Sequence, residues 1–273
     1  MSKKIFLSIL SIFLILFTAC TNMEKKTPMK VETKDRAPKN LVSVLEGLDQ
    51  VLKSVDHIEE ISKLSPLEHE SLHGEEEKKD ENKGTEEKAK EGNKEFENQV
   101  SSKDIELLKE WNSLEKLVDQ IHRDWNSYEI ESRKKGASID KGRDLKNNLD
   151  NITKGVENRD TKGTIEATSK SLYSLAYFFN LYKDDINGYL CKIKYAVLQA
   201  YLHPENGKEI LDKREEDILI LKQRLEKDKT KLKNLDKLYL SIKDMENSLE
   251  GNSRKLLKTK KDIVFKNIES LKE

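Results

Sequence analysis

The chain has 273 residues, with 51 basic and 51 acidic side chains, and its mean hydropathy is -0.79. Because 37% of the residues are charged, much of the chain cannot be core, although its length allows one or two domains. The balanced charge argues against a nucleic-acid partner, since phosphate contacts demand a basic excess. No stretch alternates apolar and polar residues as a strand does, so the pattern predicts an all-α fold.

The N-terminus has the layout of a secretory signal. Lys3 and Lys4 precede a run of 13 apolar or small residues, which is too short to span a bilayer, and the run leads into Thr-Ala-Cys at Cys20. This ending resembles the lipobox of bacterial lipoproteins. The resemblance implies that residues 1–20 form a lipoprotein signal, that Cys20 carries a diacylglycerol, and that the mature protein is anchored at the extracytoplasmic face of the cell membrane. An ordinary signal peptide or an uncleaved anchor is the alternative.

Residues 21–40 are interpreted as a flexible tether. Between Thr21 and Lys39 six basic side chains stand against three acidic ones, so either attraction to anionic lipid headgroups or a solvated spacer explains the composition. An amphipathic helix is predicted over 41–65, with Asn40 as its N-cap and Pro66 as its stop. The sequence leaves open whether this helix packs on the elements that follow.

Residues 66–100 differ in kind, because twelve acidic residues stand against six lysines. Between Gly74 and Lys94 no apolar side chain is larger than that of Ala89, so nothing offsets the entropy of ordering the backbone. The composition predicts a disordered acidic linker.

A four-helix bundle is predicted over 101–204. Ser101 or Ser102 can cap its first helix, whose apolar stripe at spacings of four and three contains both tryptophans of the protein. The stripe consists of Leu107, Trp111, Leu114, Val118, Ile121, Trp125 and Tyr128. Gly136 and Gly142 mark the first turn, and three further striped helices follow before Pro204. Short connections between four such helices favour an up-down topology.

The last segment, 205–273, is predicted to form charged helices. Its apolar spacing is similar to that of a coiled coil, although Asp228 and Glu246 fall on the seam, and Gly251 interrupts the pattern. These helices either extend the bundle or form a separate arm.

A literal zinc-protease motif, H-E-x-x-H, occurs as His69, Glu70 and His73. Its surroundings are a run of glutamates that cannot form a dry cavity, and no third ligand is identifiable by spacing. A zinc metallopeptidase is therefore the least favoured hypothesis. Adventitious zinc binding by His69 and His73 remains a separate one.

The interior near Trp111, His122 and Trp125 is a second candidate site. A histidine beside two tryptophans on one helix fits a small ligand or a metal, whereas core packing with a polar flank explains the same residues without one. Cys191 is the only thiol left once Cys20 is acylated, so no intramolecular disulfide is expected, and its helical position favours a buried, inert role.

Several patterned residues between 107 and 201 resemble helical lipoproteins of unassigned function from low-GC Gram-positive bacteria. The residues are Trp111, His122, Trp125, Asn126, Gly136, Leu149, Asp150, Asn151, Ile152, Thr153, Arg159 and Asp160. The resemblance implies an anchored four-helix domain with no catalytic residues to carry over.

The predicted function is that of a membrane-anchored extracytoplasmic lipoprotein, a non-catalytic binding or scaffolding module of the cell envelope. A small-ligand or metal-binding lipoprotein is the alternative. No cofactor is predicted, and the expected partners are the membrane, through the lipid, and an envelope protein or small ligand that the sequence does not identify. The oligomeric state is left open.

Overall fold

A computed structural model describes residues 36–73, 101–182, 186–251 and 253–272. This part of the chain is all-α and has no strand, as predicted. Its helices are α1 (Lys39–Lys63), α2 (Pro66–His73), α3 (Ser102–Lys134), α4 (Ile139–Glu157), α5 (Thr161–Phe179), α6 (Asn187–Leu202), α7 (Pro204–Asp212), α8 (Glu215–Arg224), α9 (Lys229–Ser248) and α10 (Arg254–Glu269). None of them is long and apolar enough to cross a membrane. The predicted signal with Cys20, the tether up to residue 35 and residues 74–100 of the predicted linker lie outside the described residues.

Helix α1 lies in the core. It packs on α3 and α5, and its whole apolar face is buried. Its buried residues are Leu41, Val44, Leu45, Gly47, Leu48, Val51, Leu52, Val55, Ile58 and Ile61. A Cβ atom on Gly47 would lie only 2.5 Å from Cγ1 of Ile121, so glycine at this position lets α1 approach α3 closely. The question that the sequence left open is answered, since the N-terminal helix packs on the others.

The ends of α1 differ from the prediction. The helix begins at Lys39, after Pro38, so Asn40 lies inside it rather than capping it. Helix α1 ends at Lys63, three residues before the predicted stop at Pro66. Pro66 also begins α2, where proline's missing N–H costs nothing. Ser65 and Glu68 form a reciprocal capping box, with backbone-to-side-chain hydrogen bonds of 2.8 and 3.2 Å. Residues 66–73 are therefore helical, and the prediction that the linker begins at residue 66 is wrong.

Helices α3 to α6 each pack on the next one in chain order. Glu129 of α3 pairs with Lys146 of α4, and Ser169 of α5 accepts a hydrogen bond from Gln199 of α6. Ser101 caps α3 by accepting a hydrogen bond from the backbone of Asp104, as predicted.

Of the two glycines predicted to mark the first turn, only one lies in it. Gly136 occupies this turn with a φ of +85°, a left-handed conformation that glycine adopts without strain. Gly142, by contrast, is a buried residue of α4.

A self-contained four-helix bundle with a separate coiled-coil arm is not confirmed. Helix α1 packs against two of the four helices, and the C-terminal helices pack on the same body. Helices α9 and α10 form a hairpin, and α10 packs on α6. The predicted seam is divided at Asp228, whose carboxylate accepts hydrogen bonds from the first turn of α9 and so begins a new helix there.

A buried ion-pair network joins α1, α6 and α10. Lys194 of α6 is fully buried, and its Nζ lies 2.6 Å from Asp49 of α1 and 3.0 Å from Glu269 of α10. Lys272, beyond the end of α10, also contacts Asp49 and Glu269, at 2.9 and 3.1 Å. Burial alone would lower the pKa of Lys272, but these two carboxylates raise it above its ordinary value. Each lysine of the network therefore lies beside both carboxylates.

We expect Asp49→Ala to lower the free energy of unfolding by about 3 to 5 kcal/mol, because it leaves buried Lys194 without its nearest carboxylate. Glu60→Ala is the matched control on the same helix, since Glu60 is 65% exposed and pairs with Lys258 at the surface, where such pairs contribute about 0 to 1 kcal/mol. Urea unfolding followed by circular dichroism measures both. Equal costs for the two variants would contradict the role of the buried network.

Candidate binding cleft

The first histidine of the H-E-x-x-H motif faces a neighbouring helix instead of solvent. Helix α2 turns His69 toward α3, where the ring is only 2% exposed. Its Nε2 lies 2.5 Å from Oε2 of Glu106, and its Nδ1 lies 3.2 Å from Oγ of Ser102. Glu70 is exposed, and the side chain of His73 lies outside the described part. Within the described ranges, no group of three or more His, Cys, Asp or Glu side chains could hold a metal ion.

His69 instead fastens α2 to α3. A neighbouring histidine, His57 of α1, places its Nε2 3.8 Å from the other oxygen of Glu106. The Glu106 carboxylate therefore lies between a buried and an exposed imidazole, one from α2 and one from α1. Sequence reasoning missed Glu106 because its partners are 37 and 49 residues away in the chain.

Trp111, His122 and Trp125 do not converge on one site. Both tryptophans are buried in the core, while His122 is half-buried and its Nε2 lies 3.0 Å from Oγ1 of Thr153 on α4. The two indoles are fourteen residues apart on one helix, which separates them by about 21 Å. These three residues therefore do not share a pocket, and packing accounts for both indoles.

Trp125 lies in an aromatic cluster between α3 and α5. Its ring centroid is 4.7 Å from that of Phe178 and 5.7 Å from that of Tyr128, in edge-on and tilted arrangements. Burial raises the pKa of Tyr128, whose hydroxyl lies 3.5 Å from that of Tyr182. The indole N–H of Trp125 is buried without a hydrogen-bond partner within the described residues. Burying this donor without a partner costs free energy of desolvation, which is a local penalty of packing a tryptophan at the centre of the core.

A surface cleft of about 500 Å³ lies across α4, α5 and α6, and none of its lining residues comes from α3. Tyr173 of α5 and Tyr195 of α6 form one wall, with ring centroids 4.7 Å apart, and Tyr173 is 53% exposed. Asn148 of α4 donates a 3.0 Å hydrogen bond to Ser174 of α5. The cleft therefore presents aromatic faces beside amide and hydroxyl groups.

Three lysines, one from each helix, border the cleft. Lys170 pairs with Glu166 at 2.9 Å and Lys192 with Asp217 at 3.0 Å, while Lys141 lies 3.7 Å from Asp144. The Lys141–Asp144 and Lys170–Glu166 pairs are partly exposed and contribute little to stability, so an acidic ligand can exchange with these two carboxylates at low cost. Asp217, the partner of Lys192, is buried. The chemistry of the cleft suits a ligand with ring faces, hydroxyl groups and acidic groups.

The sequence contained part of this signal. Tyr173 and Tyr177 belong to a dense group of aromatic residues, and their helical spacing favours core packing over a ligand site. That interpretation is correct for Phe178 and Tyr182, which are buried, and wrong for Tyr173. Tyr195 sits on a different helix, and only the pairing of α5 with α6 brings it to Tyr173.

Comparison of the chain with protein-family models, with curated proteins and with solved structures finds no match. The resemblance to helical lipoproteins therefore stays a prediction.

We expect His69→Ala to release α2 from α3 while the rest of the body stays folded, because both ring nitrogens of His69 contact α3. Hydrogen exchange of the amides in 66–73 should accelerate toward the rate of an unstructured chain. Glu70→Ala, on the exposed side of α2, is the control and should leave those amides unchanged. If protection over 66–73 survives in the His69 variant, the histidine does not hold this helix.

Proposed function

We propose that the protein is a lipid-anchored extracytoplasmic lipoprotein whose helical body is a non-catalytic binding module. The tyrosine and lysine cleft across α4, α5 and α6 is the single observation that carries the binding role. The N-terminal sequence ending at Cys20 supports the anchor, as a positive region and a short apolar run precede a cysteine at a lipobox-like site.

The chemistry of the cleft favours an acidic glycan as the ligand. The exposed ring of Tyr173 offers a flat apolar face on which a sugar ring can stack, and Asn148 and Ser174 offer donors and acceptors for hydroxyl groups. The bordering lysines attract carboxylate or phosphate groups along the glycan. A polymer of this kind at a cell surface is within reach of a tethered binding module.

We expect Cys20→Ala to move the protein from the detergent phase to the aqueous phase in a detergent partition of whole cells, because the variant cannot be acylated. Intact-mass measurement of the wild-type protein should show a diacylglycerol adduct on the peptide that begins at Cys20. Cys191→Ala is the control, since Cys191 is buried in α6, and it should partition as the wild type does. Wild-type protein in the aqueous phase would refute the anchor.

We expect Tyr173→Ala to weaken binding of a fluorescent oligogalacturonate about fivefold, which corresponds to the loss of about 1 kcal/mol of aromatic contact. Fluorescence polarisation measures the affinity, and a neutral maltooligosaccharide should bind the wild type more weakly because it lacks acidic groups. Tyr239→Ala changes another exposed tyrosine, on α9, outside the cleft.

Equal affinities of the two tyrosine variants would show that the cleft is not the binding surface. Equal affinities of the wild type for the two sugars would refute an acidic ligand.

A further inference from the structure

The topology brings the start of α1, the start of α6, the turn between α8 and α9, and the turn after α10 to one end of the body. A groove at this end is lined by Val42 from the start of α1, Leu225 from the end of α8, Lys231 from the start of α9, and Leu271 from the turn after α10. Lys231 donates a 3.2 Å hydrogen bond to the carbonyl of Leu271. The same end therefore holds the first described helix, which continues the tether, and the turn between α8 and α9.

This turn is strongly basic. Residues 222–233 contain six basic side chains and two acidic ones. The basic side chains are Lys222, Arg224, Lys227, Lys229, Lys231 and Lys233. One of the two carboxylates, that of Asp228, already accepts hydrogen bonds from the backbone of Thr230 and Lys231 to cap α9. We call residues 222–233 the basic end.

Some lysines on the rest of α9 and on α10 are already paired with carboxylates. Lys243 on α9 contacts three carboxylates, at 2.8 to 3.1 Å, and Lys260 on α10 contacts Asp244. Lys227, Lys229 and Lys233 are exposed, and within the described ranges no carboxylate lies close enough to pair with them. Their positive charge is therefore available to an external anion.

We propose that the basic end docks on the anionic headgroups of the lipid bilayer. This proposal rests on the proposed function, because it specifies how a body tethered by its lipid would be oriented on the membrane. Fifteen residues separate Cys20 from Arg36, which is at most about 55 Å of chain, so a body anchored at Cys20 keeps Arg36, three residues before α1, within that distance of the bilayer.

The clustering of basic residues determines the choice of partner. Clusters of four to eight basic side chains beside a membrane are typical of sites for anionic lipids, and each such residue strengthens binding about fivefold. The charge of the basic end is spread along the last turn of α8 and the first turns of α9 instead of lining an enclosed pocket. An extended layer of headgroups matches this distribution better than a single small anion does.

The test uses the unlipidated chain from Thr21 to Glu273, so that the tether is the same in every sample and no acyl group contributes. Sedimentation with phosphatidylcholine vesicles containing about 30% phosphatidylglycerol measures the bound fraction at about 0.1 M salt. Lys227→Glu, Lys229→Glu and Lys233→Glu combined should reduce partitioning at least about tenfold. The wild type should bind pure phosphatidylcholine vesicles weakly, and more salt should weaken binding to the anionic vesicles.

The matched control reverses three exposed lysines outside the basic end. Lys109→Glu and Lys116→Glu lie on α3, and Lys162→Glu lies at the start of α5. The net charge changes equally in both triple variants. Because its three lysines lie outside the basic end, the control should lose less than about threefold in partitioning. Equal losses of partitioning in the two variants would overturn the basic end as a docking surface. Wild-type binding that does not increase with phosphatidylglycerol would overturn it as well. Because no sample is acylated, neither result bears on whether Cys20 carries a lipid, which the Cys20→Ala experiment tests separately. Circular dichroism verifies that each variant is folded.

Discussion

The packing of α1 against α3 and α5 is the constraint on which the rest of the body depends. This helix buries ten residues, and the glycine at position 47 lets it approach Ile121 without a steric clash. Its carboxylates at Asp49 and Asp56 then hold Lys272 and Lys261 from the C-terminal part of the chain. The first and last described helices are therefore joined directly, and the start of α1 meets the turn after α10 at one end of the body.

The buried charges give this packing its register. Apolar side chains on neighbouring helices tolerate small slides, because hydrophobic contact is not directional. Lys194 does not tolerate them, since a shift of one helical turn would leave its ammonium group buried without Asp49 and Glu269. Replacing such a network by apolar residues need not destabilise a fold, so its contribution here is to select one arrangement of α1, α6 and α10.

The two proposed surfaces are built from different helices. The cleft lies on α4, α5 and α6, while the basic end belongs to α8 and α9 near the start of α1. A body held at its basic end by lipid and charge would use none of the side chains that line the cleft. In this arrangement the anchor, the docking surface and the binding surface do not compete for the same residues.

The sequence by itself determined the all-α class and many of the helix ends. Caps such as Ser101 and the turn at Gly136 depend on hydrogen bonds and backbone angles within a few residues, so a local pattern reveals them. Only the tertiary structure decided that α1 belongs to the core, that Tyr173 faces Tyr195, and that Lys194 is buried. The partners in the last case, Lys194 and Asp49, are 145 residues apart. Helical periodicity shows which face of a helix is apolar, but it does not show which other helix that face will meet.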